Sequence, residues 1–399
     1  LNNVEIRHGD CLTILRDLPD NSVDSVVTDP PYGLSNTKPA QVADVLAAWV
    51  TGDTEAVPAK RGGFMGKDWD SFVPPPAVWA ECLRVLKPGG HMAVFAGART
   101  QDLMGLSIRL AGFEIRDTLG WVYGSGFPKS MDVSKAIEST LTTGKSNSRS
   151  LRQTEQDGDG EAYTLTGKNN GIMGETRTYE RKQFSPATDA AKQWDGWGTA
   201  LKPAIEPIIL ARKPLDGTVA ANVLAHGVGG LNIDASRVGM SDADREAAKV
   251  PQPVQHNDAR AVYQMGTGEG RNGATFEPAP AGRFPANVLL DEHAAAEMDE
   301  QSDAASRFFP VFKYQAKAPK RERPVIVRED GTKIAHPTVK PVALMEWLVT
   351  LITPEGGATL DPFAGTGTTL QAARDKGFSA IGVEQDEDYI ALIEQRLAA

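Results

Sequence analysis

One stretch constrains the fold more than any other: Asp361-Pro362-Phe363-Ala364-Gly365-Thr366-Gly367-Thr368-Thr369. A β-like run opening at Thr359-Leu360 leads into it, and a helix-like run to Lys376, closed by Gly377, follows. Gly365 and Gly367 permit backbone conformations that a Cβ forbids, so the turn can be tight and a ligand can approach the main chain. A helix that starts there presents unpaired N–H groups. The next run, Ser379-Ala380-Ile381-Gly382-Val383-Glu384, reads as a strand ending in a carboxylate. An acid about 20 residues past such glycines is placed to accept hydrogen bonds from ribose hydroxyls. Strand, glycine turn, helix, strand and acid form one parallel α/β unit that binds a nucleoside.

Leu370 stands where the third glycine of a dinucleotide fingerprint would be, which turns the expected cofactor from a dinucleotide towards S-adenosylmethionine. A second motif bears on this. Val23-Asp24-Ser25-Val26-Val27-Thr28 is a β-branched run that ends in Asp29-Pro30-Pro31-Tyr32. Consecutive prolines stop the strand and hold a rigid extended exit. In open α/β sheets, ligands bind beyond such strand ends. Asp29 brings carboxylate oxygens, Pro30 a carbonyl and Tyr32 an aromatic face, a set suited to a flat base with an amino group. On this reading the ring of Tyr32 matters more than its hydroxyl.

Strand–helix alternation fills the first third and the last 70 or so residues. The expected helices include Leu12–Leu18, Val78–Leu86, Arg99–Leu110, Val342–Ile352 and Asp386–Leu397. Lys87-Pro88-Gly89-Gly90 reads as a turn that precedes a strand from His91 to Phe95. Pro207–Ala211 and Ala286–Leu290 read as strands. Residues 130–199 are polar and rich in Gly, Ser, Thr and Asn, which predicts a mobile or partly ordered insertion.

Asp29–Tyr32, the glycine loop and His336-Pro337-Thr338-Val339-Lys340-Pro341 together resemble the β class of amino-group DNA methyltransferases, which share this motif order. Glu206-Pro-Ile-Ile-Leu-Ala-Arg-Lys213 also resembles a core strand of that class. The resemblance implies a Rossmann-like, S-adenosylmethionine-dependent core: a mostly parallel twisted sheet with helices on both faces. Its motif order is circularly permuted, and a target-recognition region is inserted. The implied segments are a catalytic half at 1–129, the polar insertion at 130–199, a core strand at 200–213, the recognition region at 214–330 and a cofactor-binding half at 331–399.

By position, the resemblance makes Asp29, Pro30, Pro31 and Tyr32 catalytic. It assigns the cofactor to Asp10, Cys11, Asp361, Phe363, Ala364, Gly365, Thr366, Gly367, Thr368, Thr369 and Glu384, with His336, Pro337, Thr338 and Lys340 as the wall beside the methionine. Trp121 and Tyr123 would stand against the extruded base, and Lys67-Asp68-Trp69-Asp70 would cover the target strand. The densest basic run holds Lys313, Lys317, Lys320, Arg321, Arg323 and Arg328, beside Phe308, Phe309, Phe312 and Tyr314, and is the expected phosphate contact. The implied reaction is methylation of adenine N6 in double-stranded DNA. Cytosine N4 is the alternative, and an RNA or protein-glutamine amide is a more distant one. The class also implies a homodimer.

Composition excludes other classes. With 42 basic and 52 acidic residues, the net charge of -10 argues against coating nucleic acid by bulk charge, though not against a local basic site. Neither cysteine, Cys11 or Cys82, follows a proline, so the thiolate route to C5-methylcytosine is excluded. No Cys-x-x-Cys is present, no histidines have metal-ligand spacing, and no metal is expected. The N-terminal residues lack a basic-then-apolar leader and no apolar run spans a bilayer, so a cytoplasmic location is the expectation.

Overall fold

The computed structural model describes residues 3–35, 37–58, 70–124, 126, 130–144, 162–168, 176–182, 184–248, 279–302, 304–312, 324–328, 330–331, 333–336 and 339–398. The chain divides into two compact units, one built from 1–125 and 205–399, the other from 126–204.

The larger unit starts with β1 (Val4–His8), α1 (Cys11–Arg16), β2 (Val23–Thr28), α2 (Pro39–Thr51), α3 (Pro76–Val85), β3 (Leu86–Phe95), α4 (Gln101–Leu110) and β4 (Glu114–Val122). The smaller unit holds α5 (Val133–Thr143), the antiparallel pair β5 (Ala162–Lys168) and β6 (Thr176–Lys182), and α6 (Asp189–Gln193). Within it, Glu138 accepts from the Thr188 backbone N–H and hydroxyl at 3.0 and 2.8 Å, and the Ser134 hydroxyl donates to Ala191 O at 2.8 Å. Ordered helices therefore stand within the polar stretch 130–199; its residues 145–161, 169–175 and 183 lie outside the described residues.

The chain then returns to the larger unit with β7 (Ile205–Arg212), α7 (Val219–His226), α8 (Asp242–Ala248), β8 (Val288–Asp291), α9 (Glu292–Gln301) and β9 (Val311–Phe312). A small pair, β10 (Ile326–Val327) and β11 (Lys333–Ile334), precedes α10 (Val342–Ile352), β12 (Ala358–Asp361), α11 (Thr368–Asp375), β13 (Ser379–Glu384) and α12 (Glu387–Ala398).

Nine strands form one sheet in the order β1-β13-β12-β2-β3-β7-β4-β8-β9. It is parallel except at β7, which runs antiparallel to both β3 and β4. Alternate residues of the central strands go to opposite faces. Val26, Val94, Ile209 and Ala211 pack with Leu15, Trp49, Trp79, Met104 and Ile108 from α1 to α4. Val27, Ala93, Phe95, Ile208 and Leu210 pack with Leu344, Leu348, Leu370 and Ile393 from α10 to α12. Burial on both faces explains why these strands read as continuous apolar runs. The polar residues of β2 all have partners: Asp24 binds Lys87 at 2.6 Å and accepts from Ala358 N at 2.8 Å, and Ser25 meets Thr353 at 2.7 Å.

One expectation needs correction. Lys87-Pro88-Gly89-Gly90 lies within β3, which follows α3 without a loop; the irregularity shows instead as a register shift against β2 between Val23 and Ser25 and as a positive φ of 77° at Gly89. Within 214–330, the region expected to recognise the target, β8 and β9 extend the same sheet beyond β4.

Gly367 caps α11 at φ 74°, and a Cβ there would lie 2.8 Å from Ile393 of α12. Gly367→Ala should therefore destabilise the larger unit by about 1–3 kcal/mol, read as a lowered midpoint in thermal denaturation. An unchanged midpoint would mean that the turn tolerates a side chain.

Candidate active site

Parallel pairing brings the carboxyl ends of β1, β13, β12, β2 and β3 to one edge of the sheet. β12 and β2 are neighbours there, with Leu360 beside Val26. From β12 the chain leaves to β13 on one side; from β2 it leaves to β3 on the other. This reversal opens a crevice where open α/β sheets bind ligands. The glycine loop and Asp29–Tyr32 stand on its two sides.

Asp361 braces the loop. Its Oδ1 accepts from the Thr28 hydroxyl at 2.7 Å and from Phe363 N at 3.1 Å, and its Oδ2 accepts from the Thr369 hydroxyl at 2.6 Å. The side chain is 2% exposed. Burial pushes its carboxyl up to about 6, against the opposing pull of the Thr369 and Thr28 hydroxyls. Asp361 and Thr369, expected on the cofactor, thus hold each other and β2. Thr366 is likewise buried and accepts from Arg396 at 3.3 Å, and Thr368 is buried in the first turn of α11.

The opposite side of the loop is open. A Cβ on Gly365 would meet nothing nearer than His336 Nε2 at 3.7 Å, and Gly365 has a φ of 54°. Glu384 at the end of β13 accepts from Gly365 N at 2.8 Å and from Asp386 N at 2.9 Å. Gly9 N donates to Glu384 O at 2.9 Å, which sets the start of α1 beside it. Asp10 uses Oδ1 to cap α1, accepting from Thr13 N at 3.0 Å. Burial pushes the adjacent Cys11 thiol up to about 12, so it stays protonated. His336 stacks edge-on against Tyr389 at 4.7 Å; Pro337 and Thr338 lie outside the described residues. A nearly buried carboxylate, a glycine with open space over its Cα and a helix start fit a nucleoside cofactor of the expected kind.

Across the crevice, Asp70 accepts from the backbone N–H of Tyr32 at 2.8 Å and of Gly33 at 2.9 Å, and the Thr100 hydroxyl donates to Tyr32 O at 2.6 Å. Of the loop expected to cover the target strand, Asp70 is described and instead fixes the Asp-Pro-Pro-Tyr turn. Lys67, Asp68 and Trp69 lie outside the described residues. The Tyr32 hydroxyl donates to Asp29 Oδ1 at 2.7 Å, so it has a partner that the sequence reading did not give it.

Lys340 departs further from expectation. Its ammonium donates to Asp29 Oδ2 at 2.8 Å and to the Tyr32 hydroxyl at 3.0 Å, and lies 3.2 Å from Glu206 Oε2. Burial alone would lower its pKa; the Asp29 and Glu206 carboxylates outweigh burial and hold it above the ordinary lysine value. Burial, with Asp29 and Glu206 adding to it, pushes the Tyr32 phenol well up. Glu206 lies in the strand-like motif 206–213, and its local sequence does not mark it as a site residue. It arrives here because β7 runs antiparallel, which puts the first residues of that strand at the carboxyl edge of its neighbours.

Trp121 also needs correction. It pairs across β4 and β7 with Glu206, is 2% exposed and packs among Phe95, Ile208 and Leu289, so it is a core ring beneath the site. Tyr123, whose ring centre lies 5.9 Å from that of Trp121, is buried too. Lys313, Lys317, Lys320, Arg321 and Arg323 lie outside the described residues, and Arg328 pairs with Asp388.

A family model for DNA methylases of the N6/N4 type matches residues 23–395. The chain belongs to the DNA methylase family. Family members use S-adenosylmethionine. Over an alignment of 413 positions the chain is 22% identical to the type II methyltransferase M.HindIII of Haemophilus influenzae, with 98% of this chain and 94% of the relative covered. A shorter match to M.ScaI of Streptomyces caespitosus is 39% identical over 72 residues, 18% of this chain. Such short matches span about a quarter of the relatives' length, 24% for M.ScaI. Among solved structures, the cytosine-N4-specific PvuII DNA methyltransferase is 14% identical at a TM-score of 0.46, covering 99% of this chain and 86% of that one. M1.HpyAVI, solved with SAM, is 14% identical at 0.41, covering 99% and 100%. The family assignment rests on the family model rather than on these two likenesses. Among the described residues, no helix is long and apolar enough to cross a membrane.

Burial pushes the Glu384 carboxyl up to about 7, against the N–H groups of Asp386 and Gly365. A ribose hydroxyl bound there would donate to the ionised form, so protonation would compete with the ligand as pH falls through that value. S-adenosylhomocysteine should bind about tenfold more weakly near pH ~6 than near pH ~8, and Glu384→Gln should flatten the profile. Titration calorimetry reads both. A flat wild-type profile would take the ribose away from Glu384.

Proposed function

We propose that the protein is a site-specific DNA methyltransferase that methylates the exocyclic N6 of an adenine turned out of double-stranded DNA. The observation that carries this reading is that Asp29–Tyr32 leave β2 at the same edge of the sheet where the Gly365 loop leaves the adjacent strand β12 and Glu384 ends β13. A carboxylate acceptor and a nucleoside-binding loop face one volume.

Phe363, Gly365 and Glu384 would hold S-adenosylmethionine, with Asp10 and His336 at the margins. When bound, that cofactor would supply a sulfonium methyl group for in-line transfer to the amino nitrogen, with the neutral thioether as leaving group. The nitrogen is a weak nucleophile because its lone pair is delocalised into the ring. Asp29 and the Pro30 carbonyl accept its two N–H bonds and draw the lone pair towards nitrogen. The positive charge that develops there is stabilised by the Asp29 carboxylate, and one proton leaves along that hydrogen bond. Catalysis is then alignment and fixed electrostatics. Turning the base out costs roughly a few kcal/mol, and stacking on an aromatic ring such as Tyr32 returns about 1–3 kcal/mol.

Asp rather than Ser at position 29 favours adenine, by resemblance to the adenine enzymes. Cytosine N4 would fit the same acceptors. Digesting DNA methylated with labelled cofactor to nucleosides should give N6-methyladenosine in its deoxy form; label in N4-methyldeoxycytidine would replace the adenine assignment, and label in RNA or protein alone would overturn the reading.

Asp29→Ala should bind S-adenosylhomocysteine like the wild type and transfer no methyl groups. Tyr32→Phe keeps the ring and loses the hydroxyl that donates to Asp29, and should lose roughly tenfold in kcat, the scale of a buried hydrogen bond to a charged group. Unimpaired methylation by the first variant would overturn the role of Asp29; unimpaired methylation by the second would leave only the ring of Tyr32 at work.

A further inference from the structure

The corner formed by Asp29, Tyr32, Glu206 and Lys340 holds more charge than a simple acceptor for an amino group requires. Lys340 is 8% exposed, and its three N–H bonds face three oxygens: Asp29 Oδ2, the Tyr32 hydroxyl and Glu206 Oε2, at 2.8, 3.0 and 3.2 Å. The rings of Phe95 and Tyr32 lie 4.8 and 5.3 Å from the ammonium and close it from the side. An ammonium has three donors and no acceptor, so this one is fully engaged.

This arrangement poses a problem for the proposed reaction. A lysine bound to Asp29 alone would cancel the charge that must stabilise a developing cation on nitrogen. It would also occupy an oxygen that the substrate amino group needs. Glu206 resolves both difficulties. Two carboxylates around one ammonium leave one negative charge in excess. The second carboxylate also gives Lys340 a place to go, because Glu206 Oε2 is only slightly farther from the ammonium than Asp29 Oδ2.

We propose that Lys340 is a latch shared by Asp29 and Glu206: it covers Asp29 in the empty site and withdraws onto Glu206 when the substrate amino group enters. Glu206 is then a positioning residue that acts through Lys340 and keeps Asp29 available. The proposal rests on the methyl-transfer reading above and adds a regulated acceptor to it. Lys340 stands next to Pro341, the N-cap of α10, and the movement is one of the side chain.

The test compares the wild type with Glu206→Gln, Lys340→Met and the double variant, using PCR-amplified bacterial genomic DNA and labelled S-adenosylmethionine. Glu206→Gln leaves Lys340 with Asp29 as its one carboxylate. It should lower kcat and raise the apparent KM for DNA, together by roughly tenfold or more. The double variant restores the single excess negative charge and removes the latch, so it should be faster than Glu206→Gln. A Glu206 needed only for folding would make the double variant no faster, and that ordering overturns the proposal.

A second readout does not depend on turnover. In protein labelled with 13C-lysine, the Cε resonance missing from Lys340→Met reports this ammonium. In the wild type it should remain in its protonated position above the ordinary lysine value of about 10.4. In Glu206→Gln it should titrate closer to that ordinary value, and an unchanged titration overturns the shared latch. A wild type that methylates no DNA overturns the functional reading, while the resonance still decides whether Glu206 shares the lysine. If Glu206→Gln does not fold, Glu206→Ala, which also removes the charge, takes its place alone and with Lys340→Met, with the same ordering expected.

Discussion

The parallel contact between β2 and β12 is the constraint on which the site depends. It sets Val26 beside Leu360, so both strands end at the same level and both loops open into one crevice. Asp361 makes that contact rigid. One buried carboxylate accepts from Thr28 on β2, from Phe363 in the loop and from Thr369 on α11. A buried carboxylate is costly unless its oxygens are satisfied, and here the satisfaction itself ties three elements together. Asp361, which the resemblance assigns to the cofactor, is the fastening beneath the glycine loop.

Above that fastening, the two sides of the crevice differ in character. The β12–β13 side is built from backbone: glycine φ values, N–H groups and one partly neutralised carboxylate, Glu384. The β2–β7 side is built from charge, with Asp29, Glu206 and Lys340 closed in by Tyr32 and Phe95. The first suits shape recognition of a nucleoside. The second suits a reaction in which positive charge appears on a nitrogen and must be held for the duration of the transfer.

Much of this was legible in the sequence, and the legible parts share a cause. Val23–Thr28, Val342–Ile352 and Ser379–Glu384 appear with the expected bounds because their patterns are local: a doubly buried strand and a buried helix each carry their signal in adjacent residues. The glycine loop and Asp29–Tyr32 were legible for the same reason. Lys87–Gly90 misled because prolines and glycines ordinarily mark turns, whereas here they lie within a strand that shifts register against β2. Trp121 misled because an aromatic near a motif says nothing about which way it faces; its partner across the sheet, Glu206, is what reaches the site.

The sequence by itself determined the α/β class, the two strand-end motifs and the type of chemistry they can perform, since each depends on residues close together along the chain. Only the tertiary structure decided that Lys340 pairs with Asp29, that Asp361 is a brace, and that Glu206 stands beside them. Those assignments depend on strand direction. A single antiparallel strand, β7, brings its first residues to the edge where its neighbours end, and no local pattern records which way a strand will run in a sheet assembled from distant parts of the chain.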